Sequence, residues 1–227
     1  MTPREMQNDF EYKVNRYDSE LIIDSNVIFH WINEAQEIQV ITHYTGNNPY
    51  NQSFEQNEKR IDDLRALVIE TLIPVDFTST SLKADSYTAQ FPVNYMFTVG
   101  EEAVIQFTPS TGPQLTKTVE VYPITTDRYT KEISNPFGKH KMHYENATPL
   151  RLVKGSSVEL ITDGNYSVTN YALRYLKQPE RIELDGIDCE LPEYMHSHII
   201  DKAVNLYLES IGDPRYSSTK EELSDKE

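Results

Sequence analysis

The sequence is short of cysteine, glycine, basic clusters and long apolar runs, and each shortage excludes a class of protein. Cys189 is the sole cysteine among 227 residues. No intramolecular disulfide can form, and thiolate metal cages, which need several cysteines, are excluded. Synthesis in a reducing cytoplasm is expected. No apolar stretch approaches the roughly 20 residues needed to cross a bilayer. The opening MTPREMQNDF lacks the basic region and apolar stretch of a signal peptide. A soluble chain with no membrane partner is expected. Glycines number 8, and neither GxGxxG, GxxxxGK[ST] nor GxSxG occurs. Both nucleotide cradles and the nucleophile elbow are thereby absent, and no cofactor is expected.

Basic residues are also scarce. Lys and Arg total 21 against 36 Asp and Glu, a formal charge of −15. Nucleic-acid binders cluster Lys and Arg to replace the counterions of phosphates. The longest such cluster here is Lys139-His140-Lys141, so specific DNA binding is disfavoured. An acidic surface repels DNA and suits a passage along which DNA slides without sticking.

What the sequence does contain is aromatic residues, with 15 Tyr, 8 Phe and 1 Trp. Such a content is usual in β-rich proteins. It also suits surfaces that are wet in one state and buried in another, because tyrosine joins an apolar face to a polar tip. The length fits one large domain or two small ones, enough to bury roughly 70% of the surface the unfolded chain exposes.

The chain opens with a helix signal. Thr2 is a cap, Pro3 fits the first helical position and Glu5 completes a capping box. Met6, Phe10, Lys13, Val14 and Tyr17 mark one face, and the helix should end near Asp18. A second helix follows Asp24-Ser25, with Ile28, Trp31, Ile32, Ala35 and Ile38 as its stripe and Gly46 as its C-terminal cap. After a polar turn at 47–51, Ser53 caps a third helix carrying Phe54, Ile61, Leu64, Val68 and Leu72, closed by Pro74.

Beyond Pro74 the composition turns to Thr, Val, Tyr and Phe. Strands are predicted at 95–98, 103–108 and 116–122, with Ser110-Thr111-Gly112-Pro113 as a turn. Asp127 could cap a short helix over 128–134, stopped by Asn135-Pro136. Further strands are expected at 149–154 and 157–162 around Gly155, then at 171–176 and 181–184, with Asp163-Gly164 as a turn. Pro179 marks 177–183 as an edge strand or a tight hairpin. A final helix runs over 192–211, with Ile200, Ala203, Val204, Tyr207, Leu208 and Ile211 on one face, ended by Gly212 and Pro214.

The expected fold is α+β, with N-terminal helices, a central antiparallel β region, a C-terminal helix and a flexible acidic tail. Its parts are a helical 1–74, a β-rich 75–191 with a short helix, and a helix at 192–215 packing on the N-terminal helices. A flexible tail at 216–227 completes it, with 1–215 as one compact unit. The tail has almost no apolar anchor and is expected to order against a neighbour.

Candidate chemistry is sparse. His196 and His198 point about 200° apart on a helix and cannot share an ion there. His140, His143 and Glu145 come closer to ligand spacing, but they lie on an expected irregular segment and are read as an exposed polar loop, since a metal site needs convergent ligands and a second shell. Cys189 lies between Asp188 and Glu190, whose charges raise its pKa and blunt its reactivity. Asp62-Asp63 is an adjacent carboxylate pair on a helix. Glu101-Glu102 is another, following Gly100 in an expected hairpin loop. Both are assigned to solvated surface. The residues thus supply no catalytic, cofactor-binding or metal site.

Several stretches resemble a known family. DSNVIFHWINEAQ (24–36) and EKRIDDLRALV (58–68) are similar to the N-terminal helices of head–tail connector or adaptor proteins of tailed bacteriophages. ISNPFGKH (133–140), YALRYLKQPERIEL (171–184) and CELPEYMHSHIIDKAVNLYLE (189–209) resemble virion proteins of crAss-like phages, short-tailed phages of gut bacteria. The resemblance implies a structural, non-enzymatic ring protein between portal and tail, in twelvefold copies, made in the host cytoplasm and built into the virion. Its implied partners are copies of itself, the portal protein and other connector or tail proteins, with genomic DNA passing through unbound. The alternatives are another virion component (tail-tube, head-completion or minor capsid protein), a cytoplasmic protein-binding module, or an enzyme whose pocket gathers His140, His143 and Glu145.

Overall fold

The computed structural model describes residues 1–15, 23–45, 62–78 and 85–216. The chain forms two compact units: Met1–Leu67 with Gln178–Glu227, and Val68–Lys177.

The first unit is helical. Helix α1 spans Pro3–Val14, and Thr2 and Glu5 form the expected reciprocal capping box. It ends at Val14, short of Asp18, which lies outside the described residues, as do Tyr17, Gly46 and 46–61. Helix α2 spans Ser25–Thr45. Its buried face includes Ile28, Phe29, Ile32, Ala35, Gln36 and Val40, so the stripe is rotated away from Trp31 and Ile38, which are half-buried.

The segment 178–192 forms no strand, contrary to the expectation at 181–184. Its backbone is held by side chains of α2 in place of a ladder. Asn33 donates to the Ile182 carbonyl at 3.2 Å and accepts from the Ile182 N–H at 2.7 Å, and Gln36 donates to the Glu180 carbonyl at 3.1 Å. The closing C-terminal helix of this unit packs against both α1 and α2. Phe10 meets Tyr207 edge to face at 5.8 Å, and Lys13 bridges Asp9 and Asp201 at 2.8 Å each. Ile211, expected on its inner face, is exposed, and Gly212 ends the helix in the left-handed conformation at φ 68°.

Among its described residues the second unit holds nine strands: β1 (Val68–Pro74), β2 (Asp76–Thr78), β3 (Ser86–Gln90), β4 (Tyr95–Phe107), β5 (Leu115–Glu120), β6 (Tyr122–Ile124), β7 (Leu150–Lys154), β8 (Ser157–Ile161) and β9 (Ser167–Lys177). A short helix, α3 (Tyr129–Ser134), follows β6, and the closing helix of the first unit is α4 (Glu193–Ile211). Asp127 does not cap α3; Arg128 occupies the cap position without a side-chain hydrogen bond.

One sheet has the order β1-β9-β4-β5 and is wholly antiparallel. The other has the order β2-β3-β8-β7-β6, and its β6–β7 pair is parallel, so the β region is mixed. Their inner faces share one core. Tyr87, Val158 and Leu160 come from the second sheet, and Ile105, Tyr171 and Leu173 from the first.

Two corrections follow. The third helix does not run to Pro74. Residues 62–64 are helical, but from Val68 the chain is strand β1. Val68 and Leu72 satisfy a helical spacing, yet Val68, Ile69, Thr71 and Ile73 are β-branched and suit a strand, and pairing along the whole length with β9 decides in its favour. The hairpin loop expected at Gly100-Glu101-Glu102 is also absent. β4 runs straight through, with register irregularities against β9 on either side. The chain bends at 110–112 between β4 and β5, and the two-residue turn between β7 and β8 uses Gly155 at φ 59°.

Candidate functional site

His140, His143 and Glu145 do not converge. His140 is 1% exposed on a 3-10 turn, whereas His143 points outward and meets the Phe107 ring edge to face at 5.3 Å. Glu145 is exposed, and only its carbonyl is engaged, accepting from Lys117 Nζ at 2.6 Å. Among the described residues no three His, Cys, Asp or Glu side chains gather as a metal site. This segment is not an exposed loop throughout. Tyr144 stacks on Phe107 at 5.6 Å and Tyr166 donates to the His140 carbonyl at 3.2 Å. Burial, aided by Lys141, holds the His140 imidazole below its ordinary pKa. An open groove of about 570 Å³ lies beside α3, lined by Asp127, Thr130, Lys131, Glu132, Ser134 and Asn135. It includes none of the three residues.

His196 is buried with Nε2 2.9 Å from the Leu191 carbonyl, while His198 is exposed. Cys189 donates to Gln36 Oε1 at 3.5 Å. Burial first, and the charges of Glu190 and Asp188 after it, push its thiol pKa up.

Two carboxylates assigned to solvated surface are not there. Asp63 is 1% exposed, accepts a short hydrogen bond from Tyr194, and lies 3.1 Å from His43 Nδ1. Gln39 faces the other ring nitrogen of His43 at 2.7 Å. The hydrogen bond to Asp63 pushes the Tyr194 hydroxyl up to about 12, too high for proton exchange near neutrality. The trio ties 62–64 to α2 and α4. Asp62 does remain exposed.

Glu101 faces inward and takes Arg151 Nε on both carboxylate oxygens, at 2.9 and 2.7 Å, with Arg151 Nη2 also in contact. Tyr171 donates to the same carboxylate at 2.5 Å. Burial opposes the Arg151 charge, but the hydrogen bond and charge of Glu101 outweigh it and raise the guanidinium pKa. Nothing local in the sequence joins residues fifty positions apart.

What the sandwich offers outward is its rim. The edge strands are β1 and β5 in one sheet, β2 and β6 in the other. Each carries one exposed large apolar or aromatic side chain: Leu72, Leu115, Phe77 and Tyr122. The sequence suggests an edge strand or a tight hairpin at 177–183; the structure ends β9, an inner strand, at Lys177 and forms no strand over 178–192. Such rims are contact surfaces in waiting.

Comparison with known proteins agrees with a contact-making role. Residues 1–219 match the family model described as "Phage tail ring protein 3/4" of the crAss type. The chain is 24% identical over 195 residues to "Ring protein 4/5" of Bacteroides phage crAss001, covering 77% of this chain and 78% of that protein. Among the described residues no helix is long and apolar enough to cross a membrane. With nearly its whole length matched, the chain belongs to the crAss-type phage tail ring protein 3/4 family.

Proposed function

We propose that this chain is a structural subunit of a ring in the head–tail connector of a short-tailed phage, between portal and tail. About twelve copies close the ring, and genomic DNA passes through it without specific binding. The observation that carries this reading is the family match over residues 1–219.

Physical features support it. A ring needs a head-to-tail interface, in which two different surfaces of one subunit meet. The exposed rim of the sandwich provides several such surfaces. An acidic excess of 15 charges repels phosphate, and this repulsion acts within the roughly 10 Å over which salt screens charge. DNA moving through a channel of such subunits meets no basic trap. The partners are neighbouring copies, the portal and adjacent connector or tail proteins, and the place of action is the virion.

The test is the mass of the purified protein, alone and mixed with a portal complex from the same phage. A closed ring, self-formed or templated on the portal, supports the proposal. A monomer that ignores the portal overturns it.

A further inference from the structure

Among the described residues, no further strand pairs with the outer edges of β1 and β5 in the four-stranded sheet, and the two edges are complementary. Strands β1, β9, β4 and β5 alternate in direction, so β1 and β5 run oppositely. A second copy placed beside the first by a small rotation therefore sets its β1 antiparallel to the β5 of the first. The alternation continues unbroken.

The hydrogen-bond phase also fits. Val75 donates its N–H to the Thr169 carbonyl at 3.4 Å, directly across the β1–β9 ladder. In an antiparallel ladder bonded pairs alternate with unbonded ones. Ile73, Thr71 and Ile69 therefore turn their backbone groups to β9, while Leu72, Glu70 and Val68 turn theirs to the free edge. Pro74, which has no N–H, falls on an outward-turned position, where a proline is tolerated. The same alternation continues through the regular pairs Glu102↔Ala172, Val104↔Asn170 and Ala103↔Val119. It leaves Thr116, Thr118 and Glu120 of β5 turned outward. On both edges the outward backbone groups belong to residues whose side chains lie on the sheet's outer face. Faces and hydrogen bonds match together.

The other sheet is built differently. Its edge strands β2 and β6 are three residues each, β6 carries Pro123 and pairs in parallel. Short edges and edge prolines are how proteins prevent strand addition. By contrast β1 has seven residues and β5 six, with proline only at the end of β1.

We propose that β5 of one copy pairs antiparallel with β1 of the next, so that the four-stranded sheets join into a continuous band around the ring. This rests on the ring reading above. The register sets Val119 opposite Ile69, Lys117 opposite Thr71 and Leu115 opposite Ile73. On the outer face Glu120 meets Val68, Thr118 meets Glu70 and Thr116 meets Leu72. Ile69, Ile73 and Val119 already pack on the sandwich core, so this register carries the apolar strip across the joint. Sliding by two residues one way opposes Glu120 to Glu70 and Thr116 to Pro74; sliding the other way leaves Ile73 unpaired.

The experiment uses the full chain with Cys189→Ser and the pair Glu70→Cys and Thr118→Cys. Both positions are exposed, and bonded pairs lie about 5.5 Å apart at Cα, within disulfide reach. Assembly, alone or on the portal complex, is imaged first and the sample is then oxidised. Rings that cross-link into a ladder reaching the full ring support the proposal, with each single variant stopping at dimers. The out-of-register pair Leu72→Cys and Thr118→Cys should give at least tenfold less product. Intact rings without a ladder overturn the edge pairing and leave the ring reading standing. Absence of rings under both conditions overturns the ring reading, and the edge pairing with it.

Discussion

Replacing Glu101 with glutamine leaves the Arg151 guanidinium in place without its counter-charge. The side chains are 17% and 12% exposed, so water restores little of the lost solvation. Removing one partner of a buried ion pair costs about 3–5 kcal/mol, and the remaining exposure discounts this to about 2–4 kcal/mol. Glutamine still accepts one hydrogen bond, which keeps part of the Tyr171 contact. For a unit spanning Val68–Lys177 each kcal/mol moves Tm by roughly 4–8 °C, so a drop of roughly 8–30 °C is expected. The paired change Glu101→Met with Arg151→Met removes both charges and should lie within about 1 kcal/mol of the parent. The assay is thermal and urea unfolding followed by far-ultraviolet circular dichroism and tyrosine fluorescence. The single tryptophan, Trp31, belongs to the helical unit and would report on the wrong part. A Glu101→Gln protein within 0.5 kcal/mol of the parent would refute the reasoning. So would a double variant as unstable as the single one.

Two other outcomes are expected. His140 is buried, and among the described residues neither ring nitrogen has a hydrogen-bond partner. Its folded pKa is held below the unfolded value, so the unfolded chain takes up the proton first as pH falls. The stability present above about pH 6.5 is thus lost as pH drops below it toward the folded pKa. His140→Phe should flatten the decline in Tm between pH 7.5 and 5.5; equal declines in both proteins would contradict this. Asn33→Ala strips both backbone partners from Ile182, which is 1% exposed. It should cost about 1–3 kcal/mol by urea unfolding followed through Trp31, and a loss below 0.3 kcal/mol would show that water replaces the amide.

Signals held within a few residues were legible in the sequence. The capping box of α1 needs only Thr2 and Glu5, and the end of α4 needs only Gly212. The two-residue turn at Gly155 is similarly local. Segments that suit two structures were not resolved. Leu64, Val68 and Leu72 fit a helix at four-residue steps, while 68–74 is also rich in β-branched residues, and only the presence of β9 settles the choice. Long-range polar partnerships left no trace at all. Asn33 reaches Ile182, Glu101 reaches Arg151 and Asp63 reaches Tyr194 across 149, 50 and 131 positions. Those contacts explain why 181–184 is not a strand and why Glu101 and Asp63 are not surface charges. The rim of the sandwich was equally hidden, because strand order is a property of pairing and not of any one segment.

The chain places the whole sandwich between α2 and α4, and this fixes an order of events during synthesis. Met6, Phe10, Ile28 and Ile32 emerge from the ribosome long before Ile199, Ile200 and Ala203. At about 5–20 residues per second, the segment Val68–Lys177 alone takes roughly 5–20 s to be made. Strand pairing within that segment needs nothing translated later, so the sandwich can close while the early helices still lack α4. The helical unit is begun first and finished last, and its first two helices must keep their apolar faces from other nascent chains in the meantime.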